Sequence, residues 1–402
     1  MTFWIIEPRD PLIVRDGRPF GPNPGARATT LPFPFPSTIV GALRHKAGLD
    51  TNRYFDKTQI TTVLTQGMRG PLLVELNNND TISNWLLPAP ADALVLEPKK
   101  ANNNDDDKSS MAQRFWMRPN EKATAITNMP DALIPVAPAE SHPEKVSAAA
   151  PHFWCDNTLY QWLLSPADDP QAVDIAQIGI GGLEINTRMH VSIQPDQQTA
   201  LEGALFQTSG LEFTWCDAKL LKQHEFVTKR LALAAWFDGA TLNFKDSFAP
   251  LGGERRLMRW DSLQPDKPPF DATQRDAIFA QVVKDTRCRV VLLTPAYFTD
   301  GYRPPLAWTR GGVTATLKAA AVPHAQTISG WDLAKNNGRG EPKPTRRLAP
   351  AGSVYFVDFP EGADIQAWLK DTWMHNVSDD AQSCLDGFGL AVVGVWPKKA
   401  GA

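Results

Sequence analysis

Apolar positions in this chain fall mostly into short continuous or alternating runs broken by proline and glycine, with a four-residue spacing in only a few places. The opening FWIIEP (Phe3 to Pro8) predicts a first strand. A long loop follows from Glu7 to Gly21, then LPFPFPS, whose prolines fix φ and remove backbone donors, so both stretches read as extended connectors. A helix is expected to begin at Ser37, read as its N-cap, because Ile39, Leu43 and Ala47 then form one buried stripe and Gly48 ends it. Strands are expected at Pro71 to Leu76 and Ala91 to Leu96, and a short amphipathic helix at Thr158 to Leu164.

The clearest hairpin lies between Thr187 and Trp215. Met189, Val191 and Ile193 alternate with Arg188, His190 and Ser192, and after the polar turn QPDQQ Leu211, Phe213 and Trp215 alternate with Glu212 and Thr214, which predicts one core face and one solvent face carrying Arg188 and His190. From Phe226 the pattern begins again: a strand in FVTKRLALAAWFDG, a glycine turn in LGGERRLMRW, a helix in DATQRDAIFAQVVK and a fully buried strand in CRVVLLTPAYF. SVYFVDF, a helix near Ile365 to Met374 and LAVVGVW complete it. Strand, helix, two strands, helix, strand is the split βαβ order of a ferredoxin-like fold, and it is counted about twice. The expectation is an α+β chain of two ferredoxin-like domains with long loop insertions, residues 1–217 and 218–402. The first domain carries, at about residues 99–151, a stretch with NNNDDDKSS and an Ala/Pro-rich run that reads as an insertion or mobile loop.

Composition narrows the classes. At 402 residues, 43% hydrophobic and 21% charged, the chain is neither disordered nor fibrous. A net charge of −3 excludes bulk electrostatic coating of nucleic acid, so any RNA contact must use local basic patches. Four cysteines at least 61 residues apart favour neither zinc pairs nor a disulfide framework, and no metal or cofactor is expected. MTFWIIEPRD is too short in apolar residues for a signal peptide and no run reaches a membrane span, so a cytoplasmic protein is expected.

Candidate chemistry is cationic and glycine-rich. GIGG (with Gly181 and Gly182) and the GFGLAVVG run lack a Gly-Lys-Ser/Thr, and the latter has no room for a following helix. Each reads either as close backbone packing or as a glycine loop against a nucleic-acid backbone. His45 sits beside Arg44 and Lys46, off the apolar stripe; it and His190 are open to a solvated face, a phosphate contact or general-base work. LGGERR sets Gly252 and Gly253 before Arg255 and Arg256, with Arg259 beyond; arginine forks suit phosphate oxygens, and an internal ion-pair network with Glu254 is the equal alternative. Between Lys335 and Arg347, five cations face Glu341 alone, a net +4 that suits a phosphate chain or a plain solvated loop. Arg15, Arg18 and Arg27 line the first long loop near Phe20, Phe33 and Phe35, aromatics that either stack bases or pin the loop.

EPRDPLIVRDGRPFG, LPFPFPSTIVGALR, TRMHVSIQPDQQTALEGALFQTSGLEF, LGGERR, GWDL with PKPTRRLAPAGSVYF, and GFGLAVVGVW together resemble one family from Glu7 to Trp396. That family is the third subunit of the Cmr module, a RAMP (repeat-associated mysterious protein) of type III-B CRISPR effector complexes. The resemblance implies two RRM-like domains and a non-catalytic role in an antiviral ribonucleoprotein. It implies that the subunit holds the 5′ handle of the guide RNA, docks the large polymerase/cyclase-type subunit and touches neighbouring RAMP subunits. Expected RNA contacts are Arg15, Arg18, Arg27, Arg44, His45, Gly181, Gly182, Arg188, His190, Gly252, Gly253, Arg255, Arg256, Arg346 and Arg347. No catalytic residue, metal or membrane is expected. The alternative is a metal-independent RAMP endoribonuclease that processes guide-RNA precursors, with His45 or His190 as base.

Overall fold

The computed structural model describes residues 1–15, 27–97, 111–121, 130, 132–140, 142–167, 169–216, 228–239, 242, 248–262, 267–332, 335–336 and 340–398. They form a mixed α/β chain, mostly strands with some helices. It divides into two compact units, each assembled from three segments: residues 1–83, 183–264 and 327–347, and residues 84–182, 265–326 and 348–402. Sequence halves either side of residue 218 are therefore not the compact bodies. Strand Thr228–Phe237 shows why, because it hydrogen-bonds on both sides to strands from the start of the chain.

In the first unit the sheet runs Phe248–Leu251, Arg256–Ser262, Thr2–Pro8, Thr228–Phe237, Met68–Leu76, every neighbour antiparallel. Thr2–Pro8 and Met68–Leu76 are thus parallel with one strand between them, and the helix Pro36–Ala47 is their crossover. Phe3 to Ile6 are all buried, as a central strand with both faces covered requires. The helix buries Ile39, Val40 and Leu43 against Met68–Leu76. Its N-cap is Phe35, not Ser37: Pro36 takes the first helical position, where a missing N–H costs nothing. At the other end the Gly48 N–H donates to the Arg44 carbonyl, ending the helix where expected.

In the second unit the sheet runs Ala307–Arg310, Val313–Ala321, Val354–Asp358, Arg287–Leu292, Leu390–Val395, His375–Asn376. Val354–Asp358 and Leu390–Val395 are parallel around Arg287–Leu292 and are joined by the helix Ile365–Thr372. Helices Asp156–Leu164, Ala272–Asp285 and Ile365–Thr372 pack on Leu390–Val395. Helix Ala272–Asp285 starts with a reciprocal cap, the Asp271 carboxylate accepting from the Gln274 N–H and the Gln274 side chain accepting from the Asp271 N–H. Of residues 99–151, read as an insertion or mobile loop, the described part is built structure: Met111–Trp116 pairs with both Ala93–Leu96 and Gln171–Asp174, and Trp116 is buried.

A fully buried ion pair organises this unit. Arg289, in the middle of Arg287–Leu292, donates through Nη1 to Asp92 Oδ2, through Nε to the Val395 carbonyl (2.8 Å) and through Nη2 to the Trp162 carbonyl (2.6 Å). Asp92 also accepts from the indole N–H groups of Trp162 (2.9 Å) and Trp116 (3.3 Å). Both charged side chains are excluded from water, so each lone pair or proton left unmade would carry its full desolvation cost. Asp92→Ala is expected to lower the unfolding free energy by about 3–5 kcal/mol, because it strands a buried guanidinium. Combining it with Arg289→Met is expected to restore much of that loss, and urea denaturation followed by tryptophan fluorescence checks both.

Candidate nucleic-acid interface

Four segments far apart in sequence meet around a cavity of about 180 Å³ in the first unit. Ile13, Val14 and Arg15 come from the first long loop; Leu31, Phe35, Ser37 and Thr38 from the proline run and the helix start. Gly252 and Gly253 come from LGGERR, and Thr327, Ile328 and Ser329 from the approach to the basic loop. The loop is pinned by backbone bonds. Leu12 exchanges two hydrogen bonds with Leu211 (2.9 and 2.8 Å), the Leu31 N–H donates to the Val14 carbonyl (2.7 Å), and the Gly253 N–H donates to the Ile13 carbonyl (2.7 Å). Gly252 has φ +72°, and a Cβ there would stand 2.5 Å from the Ile13 carbonyl oxygen, so this approach requires glycine. Glu254 and Arg255 continue the turn at φ 56° and 51°.

The predicted arginines separate by what already holds them. Arg15 is exposed on the cavity wall. Arg255 is exposed and has no partner among the described residues. Arg256 pairs with Glu254 at 2.6 Å. Arg259 is spent on Glu7 (3.2 Å), Asp80 (3.1 Å) and Asp261 (2.7 Å), and Arg230 reaches Glu7 and Asp80 at 2.8 Å each. The internal network weighed for this motif therefore exists, and it takes two of the motif's three arginines. Hydrogen bonds from Arg230 and Arg259 hold the Asp80 carboxyl below its usual range, and Glu7 and Asp80 in turn raise Arg230.

Arg346–Leu348 pairs with Gln326–Ile328, which sets Arg346 and Arg347 on the strand next to the cavity wall; Arg347 is exposed with no partner among the described residues. The described part of the basic loop is tied down by the pairing of Trp331–Asp332 with Glu341–Pro342 and by the Lys343 N–H donating to the Gly330 carbonyl (2.7 Å). Arg27 lies in a two-residue strand beside Gln207 and Thr208 of the hairpin.

Other expected contacts lie elsewhere. Arg44 is buried, donating through Nε and Nη2 to the Gln66 carbonyl (3.1 and 2.8 Å), so it is turned inward and not displayed. His45 is exposed at the far end of the helix, stacked on Phe55. Gly181 and Gly182 belong to the second unit and face open space, while Gly179 beside them would drive a Cβ into Phe153. In the other glycine run, a Cβ at Gly389 would stand 2.8 Å from the Ser378 nitrogen, the close-packing reading. Arg18 lies outside the described residues.

The hairpin keeps only part of its expected pattern: Leu211 and Phe213 are buried and Arg188 is exposed as expected, but the apolar residues of the first strand are not core. Met189, Val191 and Ile193 are 60%, 44% and 63% exposed, whereas His190 is half-buried, bonded to the Thr208 hydroxyl (2.8 Å) and stacked on Phe206. Arg188 is exposed and donates to Asn186 (3.2 Å). Sequence reasoning also missed the hydroxyls of Ser37, Thr38, Thr327 and Ser329 around the cavity; Ser37 was visible, but as a helix cap. Among the described residues no helix is long and apolar enough to cross a membrane, and no cluster of three or more His, Cys, Asp or Glu is placed to hold a metal ion.

A family model described as CRISPR-associated protein (Cas_Cmr3) matches residues 4–396. The chain belongs to the Cas_Cmr3 family. The resemblance to the third Cmr subunit, first traced through scattered motifs, thus holds over nearly the whole chain. Solved chains similar to this Cas_Cmr3 member come from cryo-EM structures of a type III-B Cmr-β complex. One, bound to cognate target RNA and AMPPnP, aligns at TM-score 0.44 and 14% identity. The other, bound to cognate target RNA, aligns at 0.43 and 15%; each match covers 88% of this chain and 86% of the solved one. A chain from the crystal structure of a Csm3–Csm4 subcomplex of the type III-A interference complex aligns at TM-score 0.30 and 9% identity, over 89% of this chain and 94% of that one. No curated protein matches the chain.

Gly252→Ala is expected to cost about 1–3 kcal/mol, from its φ and the Ile13 carbonyl, while Gly181→Ala stays within about 0.5 kcal/mol; thermal unfolding compares them. The stability that the lowered Asp80 pKa supplies is present above the ordinary carboxylate range and lost as pH falls through the lowered value. Asp80→Asn is expected to flatten that acid limb in unfolding free energies measured from neutral to acidic pH.

Proposed function

We propose that this Cmr subunit holds the 5′ handle of the guide RNA in a type III-B CRISPR effector complex, docks the large polymerase/cyclase-type subunit beside neighbouring RAMP subunits, and breaks no bond itself. The observation that carries the RNA reading is the convergence on one cavity of the first loop, the proline run, the Gly-Gly turn and Thr327 to Ser329. Arg15 stands on its wall, Arg255 continues the turn and Arg347 lies on the neighbouring strand. Arginine forks next to a glycine backbone suit phosphate oxygens and recognise shape more than sequence. His45 lies flat on Phe55 and His190 is bonded to Thr208, so both rings have structural occupations, which favours binding over the endoribonuclease alternative.

RRM-like, ferredoxin-type architecture in each unit is part of this proposal. Its support is the spatial order of the central strands. Counted along the chain within its own unit, the fourth strand lies beside the first, then the third, then the second, in both sheets. Each unit has one crossover helix between parallel strands, Pro36–Ala47 in the first and Ile365–Thr372 in the second. A cytoplasmic site of action belongs to the same reading.

Reversing Arg255 and Arg347 to Glu is expected to weaken guide-RNA retention by the assembled complex and to reduce the salt slope by about one for each phosphate no longer neutralised. Pull-down across a salt series checks this, and unchanged retention overturns it. Incubation of the purified protein with repeat RNA is expected to give no site-specific product; cleavage that disappears in His45→Ala would replace the binding role with the endoribonuclease.

A further inference from the structure

The turn after the first helix is built to hold one aromatic ring in solvent. The Asp56 N–H donates to the Gly48 carbonyl (2.9 Å) and Leu49 bridges to Phe55, which closes residues 49–56 on the helix end. Asp50 fixes both backbone groups of Tyr54: its N–H donates to the Tyr54 carbonyl (2.8 Å), and its carboxylate accepts from the Tyr54 N–H (2.9 Å). Arg53 is held at φ +66°, a left-handed conformation that a non-glycine residue adopts at a cost. Phe55 lies under the turn, against Gly48 and parallel to His45 at 5.5 Å. Tyr54 is left 75% exposed on this rigid support, the most exposed large hydrophobic residue among those described.

We propose that this turn is a stacking platform for an unpaired base of a single-stranded nucleic acid, with Tyr54 as the platform and Arg53 and Lys57 as its phosphate partners. Both cations are exposed and without a partner among the described residues. The adjacent carboxylates are already engaged, Asp50 by Tyr54 and Asp56 by the Thr58 N–H and hydroxyl (2.9 and 2.7 Å). A lone ring between cations suits base stacking, which is sequence-tolerant because every base has a π-face. A protein anchor would instead be ringed by apolar contacts that exclude water. The 12-residue helix puts the turn about 18 Å from the cavity at the helix start. The platform therefore rests on the RNA reading only for the identity of the strand, not for its own construction.

The test is fluorescence anisotropy of the full chain with a labelled single-stranded oligouridine. Tyr54→Ala is expected to weaken binding about tenfold without changing the salt slope, Tyr54→Phe to bind as the parent does, and Arg53→Glu to flatten the slope. If Tyr54→Ala binds as the parent while the Arg255/Arg347 reversal weakens binding, the platform is wrong and the cavity reading stands. The converse result keeps the platform and removes the cavity. Loss of subunit assembly in Tyr54→Ala with unchanged oligouridine affinity would make the turn a protein anchor and overturn the proposal, as would a parent chain that binds no oligouridine.

Discussion

A guanidinium in the middle of a buried strand is tolerable only if nearly every proton finds an acceptor, and the second unit is organised around meeting that condition. Arg289 reaches Asp92, Val395 and Trp162, while Asp92 gathers the two indole donors. The acceptors come from three stretches: the residue just before strand Ala93–Leu96, the helix Asp156–Leu164, and Leu390–Val395. A hydrophobic contact can slide and still gain; a buried charge cannot, because desolvation is recovered only in one geometry. That asymmetry makes residues 84–182 part of this unit despite their low-complexity interior.

Charge in the first unit is partitioned on the same principle. Buried Glu7, with Asp80 and Asp261, takes up Arg230 and Arg259, which fixes strands from three parts of the chain to one another. What remains outside that network is a small set of arginines at turns and edges, Arg255 and Arg347 among them. A chain of net charge −3 can therefore still present local positive edges.

Legibility in the sequence followed the physics of each signal. Continuous apolar runs such as Phe3 to Ile6 or Val290 to Leu292 mean burial on both faces and are readable as strands. Alternation at Met189, Val191 and Ile193 says only that two faces differ, and not which is covered, so these three came out exposed where a core face was expected. Arg44 looks in sequence like part of a solvated face with His45, yet the Gln66 carbonyl lies within its reach and draws it inward. The family resemblance marks the right segments, but their meeting around one cavity depends on backbone bonds between residues as distant as Ile13 and Gly253. The platform at Tyr54 leaves no sequence signal beyond one aromatic next to an arginine.

The interleaving of the two units has a practical corollary. Both are stitched from three lengths of polypeptide, so no single cut leaves each of them whole. Leu390–Val395 is an interior strand of its sheet, so that sheet stays open until the last of the unit's three segments has been made. Fragment expression is accordingly a poor route to either half.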